Sequence, residues 1–208
     1  MQSPYITCVA VVLAAVWASG CTLSVPIDAK APVVAQPDAM LPIKVGLLID
    51  AETRAKEATG WGGGPSFVYP VGEALEKIAS AALASVFSRV EKVNAAHPLP
   101  PGLDGTVQIL IDDAFLRPTL VSGDVASSTI LLRCVVYDKE GKRIATLVSR
   151  GYARSIYKPP LWAGFGRGFV PLQELLGTLA DQALHRAAGE LLRKLVEHDK
   201  MKHLQSPG

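Results

Sequence analysis

Apolar positions along this chain follow two rhythms, and the change from one to the other marks its elements. Pro42 to Asp50 carries Ile43, Val45, Leu47, Leu48 and Ile49, which predicts a first, mostly buried strand. Glu52 to Glu57 is charged, and Thr59-Gly60-Trp61-Gly62-Gly63-Gly64-Pro65 reads as a loop before a short strand at Ser66 to Tyr69. Pro70 then opens a helix, where its missing N–H costs little. Val71, Leu75, Ile78, Ala79, Ala82, Val86, Phe87 and Val90 recur at three and four residues, so one amphipathic helix is predicted over Val71 to Val90. A very short strand at Glu91 to Val93 precedes the Pro-rich loop Asn94 to Gly105.

Strands are predicted at Thr106 to Phe115, Thr129 to Tyr137 and Arg143 to Ile156. Asp138-Lys139-Glu140-Gly141 joins the last two, a connection suited to a short hairpin. Leu116 to Ser128 reads as a protruding hairpin or loop, and Lys158 to Phe169 as a second loop. Pro171 starts a last helix reaching Glu197. Its apolar stripe is Leu172, Leu175, Leu176, Leu179, Ala183, Ala187, Leu191 and Leu195, with cations loading its C-terminal end. Residues 201–208 read as a frayed tail. This order predicts an α+β fold: a two-layer sandwich with a mainly antiparallel sheet and two long helices on one face. Residues 42–200 form one domain.

The first twenty-one residues have a different character. Met1 to Cys21 contains no Lys, Arg, Asp or Glu; Ile6 to Trp17 is almost wholly apolar and leads into Ala18-Ser19-Gly20-Cys21. Small residues closing a short apolar run mark a cleaved export signal. The run is shorter than the ~20 residues a spanning helix needs. A Cys directly after the small residues makes the segment resemble a bacterial lipoprotein signal. That resemblance implies removal of residues 1–20, a diacylglycerol on the Cys21 thiol and an acylated, palmitate-type amino terminus. The segment departs from the family in lacking a cation in Met1 to Tyr5 and in having Ala18 where Leu is usual. An ordinary secretory signal, with Cys21 an incidental thiol, is the alternative, and an uncleaved anchor is a third reading. Thr22 is not Asp, so the resemblance implies the periplasmic face of the outer membrane. Thr22 to Leu41, with Pro26, Pro32 and Pro37, reads as a tether between lipid and domain.

With its tether, strand Lys44 to Asp50, helix and paired strands before a terminal helix, residues 42–197 resemble small periplasmic lipoprotein domains. The group includes the lipopolysaccharide-assembly lipoprotein, the auxiliary lipoproteins of ABC transport systems and the curli-secretion lipoprotein. The likeness is one of architecture and implies no functional residue.

Composition narrows the chemistry. A formal charge of +2 gives no reason to expect nucleic acid as a partner. Of the three Cys, Cys8 lies in the signal, Cys21 is the lipidation candidate, and Cys134 in an apolar run reads as a small buried hydrophobe. His97, His185, His198 and His203 lack metal-site spacing, so no metal or cofactor is expected. Asp112-Asp113 reads as a solvated strand end, because adjacent strand residues face opposite ways. Gly164-Phe165-Gly166-Arg167-Gly168 lacks the Lys-Ser/Thr of a nucleotide loop. No catalytic residue is assigned, and a non-enzymatic chain is expected.

The remaining signal is aromatic. Trp61 lies in one Gly-rich loop; Trp162 and Phe165, beside Arg167, lie in the other. Rings on such loops anchor partners or sit at membrane interfaces, or else fold back over the sheet. Trp61, Trp162, Phe165 and Arg167 are therefore the contact candidates. The expected role is an accessory or assembly subunit of an envelope complex, held to the membrane through Cys21 and working with an envelope protein partner. The alternative is a carrier holding a lipid or glycan between helices and sheet.

Overall fold

Leu41–Leu48 forms the central strand β2 because Ile43, Val45 and Leu47 alternate into the core. The computed structural model describes residues 22–27, 40–61, 66–119, 121–158, 169–198, 201 and 204. The elements in chain order are β1 (Thr22–Ser24), β2, α1 (Ala51–Arg54), β3 (Ala58–Trp61), β4 (Ser66–Tyr69), α2 (Val71–Ala84), β5 (Phe87–Lys92), β6 (Gly105–Arg117), β7 (Val125–Asp138), β8 (Arg143–Ile156) and α3 (Phe169–Glu197). The fold is the expected α+β arrangement. Long antiparallel ladders join β6, β7 and β8, while α2 and α3 share one core on one sheet face.

The sheet forks. Beyond β7, the other edge of β6 pairs with β2 through Gly105 to Gln108, and β5 lies outside β2. Further along, Phe115 of β6 pairs with Thr59 of β3, outside which lie β4 and β1. Between the two branches β6 bulges: Ile111 opposes Leu132 while Asp113 opposes Leu131, so Asp112 is the extra residue.

Four elements depart from the expectation. The helix predicted to Val90 stops at Ala84, and Phe87 begins β5, which runs parallel to β2. Val86, Phe87 and Val90 fit a helical stripe, but Val86 and Phe87 are buried beside a new ladder instead. Gly60 and Trp61, expected in a loop, end β3. The expected tether does not stand off at its start: Thr22, Leu23 and Ser24 pair with Ser66, Phe67 and Val68, and Val25 is in the core. Strand β7 also begins four residues before the predicted Thr129, its polar Ser127 and Ser128 being buried in the ladder.

The packing of α3 on β8 needs small residues. A Cβ on Gly151 would overlap the carbonyl oxygen of Ala183. Ala153 lies beside it on β8, and α3 presents Ala180, Ala183 and Ala187, all fully buried. At that separation α3 covers the open edge of β8 with side chains. Lys194 Nζ donates to Val148 O at 2.7 Å, Arg150 N donates to Glu190 Oε2 at 3.2 Å, and Arg186 Nη1 donates to Tyr152 O at 2.5 Å. The spacing explains the match. Four helical residues rise about 6.0 Å, and two strand residues about 6.7 Å. An edge left bare would present these groups to another strand.

Two outcomes test this packing. Gly151→Ala should destabilise the chain by at least the ~1–3 kcal/mol of an overpacked core, read as a lower urea midpoint. The second concerns pH. A hydrogen bond from Lys194, followed by the Arg150 N–H, holds the Glu190 carboxyl below its usual range. Its contribution is therefore complete above the ordinary Glu value and is lost as pH falls through the lower folded value. Glu190→Gln should lower the urea midpoint at pH 7, and the difference from wild type should shrink as pH drops below the ordinary 4.5.

Candidate functional site

The end of the sheet at which β1 starts is set by strand direction. β1 starts at Thr22 beside Ser66, Ser66 pairs with Trp61 at the end of β3, and β3 runs parallel to β6, which ends at Arg117. Val125 at the start of β7 pairs with Ile156 at the end of β8. Thr22, Trp61, Arg117, Val125 and Ile156 therefore stand at one end of the molecule. The helix α3 starts there as well, since Gln173 Nε2 donates to Ser24 O at 2.7 Å.

The face away from the helices is patterned at this end. Alternation sends Ala126, Ile130, Ala153 and Phe67 into the core, so the intervening positions face outward. One row is Val125 and Ile156, both exposed. The next is Arg117 and Arg154 on either side of the buried Ser127, level with Trp61 by continuation of the β3–β6 register. The third is Phe115 and Tyr152 on either side of the buried Thr129, continued by Thr59 and Val68. Trp61 is 72% exposed and Val121, in the β6–β7 turn, 61%.

Of the contact candidates, Trp61 is placed on this exposed face. Trp162, Phe165, Arg167 and the lipidation candidate Cys21 lie outside the described residues. The chain neighbours of these segments, Thr22, Lys158 and Phe169, lie next to or within elements that meet at this end. Sequence reasoning missed Phe115, Tyr152 and Ile156. Their alternation was visible, but the face they share became the open one only through the pairing of β6, β7 and β8.

A second concavity lies in the fork. An open cleft of about 300 Å³ is lined by Asp50, Glu52, Thr53, Lys56, Leu110, Ile111, Asp112 and Arg133. Two of its charges, Arg133 and Asp112, pair with each other. Arg133 holds Asp112 with two contacts of 3.0 Å. Asp50 Oδ1 caps α1 by accepting from Thr53 N at 2.7 Å, which holds its carboxyl below the usual range. Gln108 links Asp50 to Tyr137, whose hydroxyl donates to Gln108 Oε1 at 3.1 Å. The bulge corrects the reading of Asp112-Asp113: they lie within β6, and the extra residue lets both take outward register positions, beside Arg133 and Leu131. The result is a braced polar notch with a bidentate ion pair at its centre.

Buried polar groups also tie α3 to β4. Tyr69 is fully buried, and its hydroxyl donates to Asp181 Oδ1 at 2.5 Å. Burial, with the Asp181 hydrogen bond, pushes the phenol well above its usual range. One turn on, burial lowers His185 and the Asp181 charge partly opposes it. Its Nδ1 is buried with no hydrogen-bond partner among the described residues. Cys134 is fully buried and burial pushes its thiol up to about 12, so it packs as a small hydrophobe. The described residues hold no cluster of His, Cys, Asp or Glu able to bind a metal ion. They include no helix long and apolar enough to cross a membrane.

No family model matches the chain, and no curated protein matches it. Among solved structures it is similar to a Xanthomonas campestris protein of the DUF330 family, with a TM-score of 0.51 and 12% identity over 89% of this chain and 99% of that one. It also matches a minor lipoprotein from Acinetobacter baumannii, with a TM-score of 0.33 and 15% identity over 73% of this chain and 91% of that one. The first likeness is one of fold, and it extends over nearly the whole domain. The second is too distant to bear on role.

The Tyr69–Asp181 bond gives a direct test of the staple between α3 and β4. Tyr69→Phe keeps the ring and removes a donor from a buried carboxylate, so it should cost about 1–3 kcal/mol in urea denaturation. Tyr152→Phe, on the exposed face, should stay within about 0.5 kcal/mol of wild type.

Proposed function

We propose that this chain is a bacterial envelope lipoprotein, anchored through Cys21 at the periplasmic face of the outer membrane. It serves there as a non-enzymatic accessory or assembly subunit. The observation that carries the reading is the sequence Ala18-Ser19-Gly20-Cys21 standing one residue before an edge strand that docks on the domain. A thiol at that position holds the lipid against the body of the fold. The identity of Thr22 supports the outer membrane. The Arg133–Asp112 ion pair in the fork and the filled core support work by surface rather than by chemistry. The core favours a subunit over a carrier, because Phe67, Tyr69, Phe87, Leu132 and Leu176 occupy the space between helices and sheet where a ligand would lie.

Two measurements test this. Mass spectrometry of the membrane-extracted chain should find a mature amino terminus at Cys21 carrying a diacylglycerol. Cys21→Ser should move the chain to the soluble periplasm or stall its processing. An unmodified Cys21 in membrane-bound wild type would overturn the anchor. Extracted in mild detergent, the lipidated chain should run in native mass spectrometry as a complex with an envelope protein at fixed stoichiometry. A monomer or a self-oligomer alone would overturn the subunit role.

A further inference from the structure

We propose that the Cys21 end of the outward sheet face is a membrane-contact surface. In this reading it rests on an anionic phospholipid bilayer and turns the fork away from the lipid. The inference rests on the anchor reading above and adds an orientation to it.

Thr22 pairs with Ser66 and Ser66 with Trp61, so the residue after the lipidated Cys lies two strand spacings from Trp61. That is roughly 10 Å. Since β1 is hydrogen-bonded into the sheet and Val25 is buried, no free spacer separates the acyl chains from the domain. Whatever surface receives the lipid also lies against this end of the sheet.

The composition of the end fits such a surface. Trp61, Val121, Val125 and Ile156 are large apolar or amphipathic groups exposed to solvent, with Phe115 and Tyr152 one or two rows further in. Tryptophan and tyrosine favour the head-group level of a bilayer. Between the apolar rows stand Arg117 and Arg154, with the exposed Lys158 just beyond β8. The nearby carboxylate of Asp124 accepts from Thr119 Oγ1 at 3.5 Å. The cations therefore outnumber it. Alternate apolar and cationic rows would seat rings and branched side chains in the interface while the guanidinium groups meet lipid phosphates. The opposite end of the same strands carries the Asp138–Gly141 turn with Lys139, Glu140 and Lys142, whose charges suit water.

The test uses the full lipidated chain. Cys134 is buried and Cys21 is acylated, so a Cys introduced on the surface is selectively labelled. An environment-sensitive fluorophore is placed by Val121→Cys, or by Lys142→Cys at the far end. Each labelled chain is reconstituted in vesicles of phosphatidylethanolamine and phosphatidylglycerol containing brominated lipid. The Val121 probe should lose most of its emission to the bromines and shift to the blue; the Lys142 probe should do neither. Arg117→Glu with Arg154→Glu should restore the Val121 emission while the chain stays in the vesicle pellet, since the acyl anchor is untouched. Each Arg lost near an anionic surface weakens contact about fivefold. A lipid confirmed on Cys21 with equal, unquenched probes at both ends overturns the contact face and leaves the anchor standing. Quenching that survives the double charge reversal overturns the role of the cations. An unmodified Cys21 in the same sample overturns the anchor reading itself.

Discussion

The close approach of α3 to β8 is the constraint on which the rest of the structure depends. Gly151 lies where any side chain would strike the Ala183 carbonyl, and Ala180, Ala183 and Ala187 keep the helix surface flat. That proximity brings Arg186, Glu190 and Lys194 within reach of alternate backbone groups on the strand edge. The same helix reaches Tyr69 through Asp181 and Ser24 through Gln173, so it clamps the β3–β4–β1 branch to the β6–β7–β8 ladder. A longer side chain at Gly151 would therefore disturb packing, edge protection and the placement of β1 together.

Much of the fold was legible because long periodic segments leave little choice. The stripe from Leu172 to Leu195, the alternation from Arg143 to Ile156 and the Asp138–Gly141 turn each fit one element. Gly141 closes that turn with φ near +78°, a backbone state that glycine adopts without strain. Failures came where two rhythms coincide or where an element is too short to have one. Val86, Phe87 and Val90 satisfy a helical stripe and a strand equally, and only the pairing of β5 with β2 decides. Gly60 looked like loop composition; in the fold it is a strand residue pressed against Leu116 and Pro118, where a Cβ would not fit. Three residues, Thr22 to Ser24, cannot announce a strand by pattern.

The open face was legible only in part. Trp61 was identifiable from its setting, and it is exposed. The bulge at Asp112 defeated the rule that neighbouring strand residues face opposite ways, because one added residue shifts the parity of everything after it. That shift is also what sends Phe115 and Arg117 outward rather than into the core. A one-residue irregularity invisible in composition thus shapes the open face.

The capped edge of β8 has a further consequence. Molecules held at a membrane, as proposed for this chain, diffuse in two dimensions and meet their own copies far more often than the same number in bulk water. In that setting an uncovered fourteen-residue strand would be a template for chain-to-chain pairing and eventual fibre growth. Arg186, Glu190 and Lys194 of the helix occupy Tyr152 O, Arg150 N and Val148 O along that edge in advance. The outermost strands of the two branches are then β1, three residues long, and β5, whose Arg89, Glu91 and Lys92 discourage pairing with an identical strand. The sheet can thus be crowded on a surface without zipping to its neighbours, which leaves association to its faces.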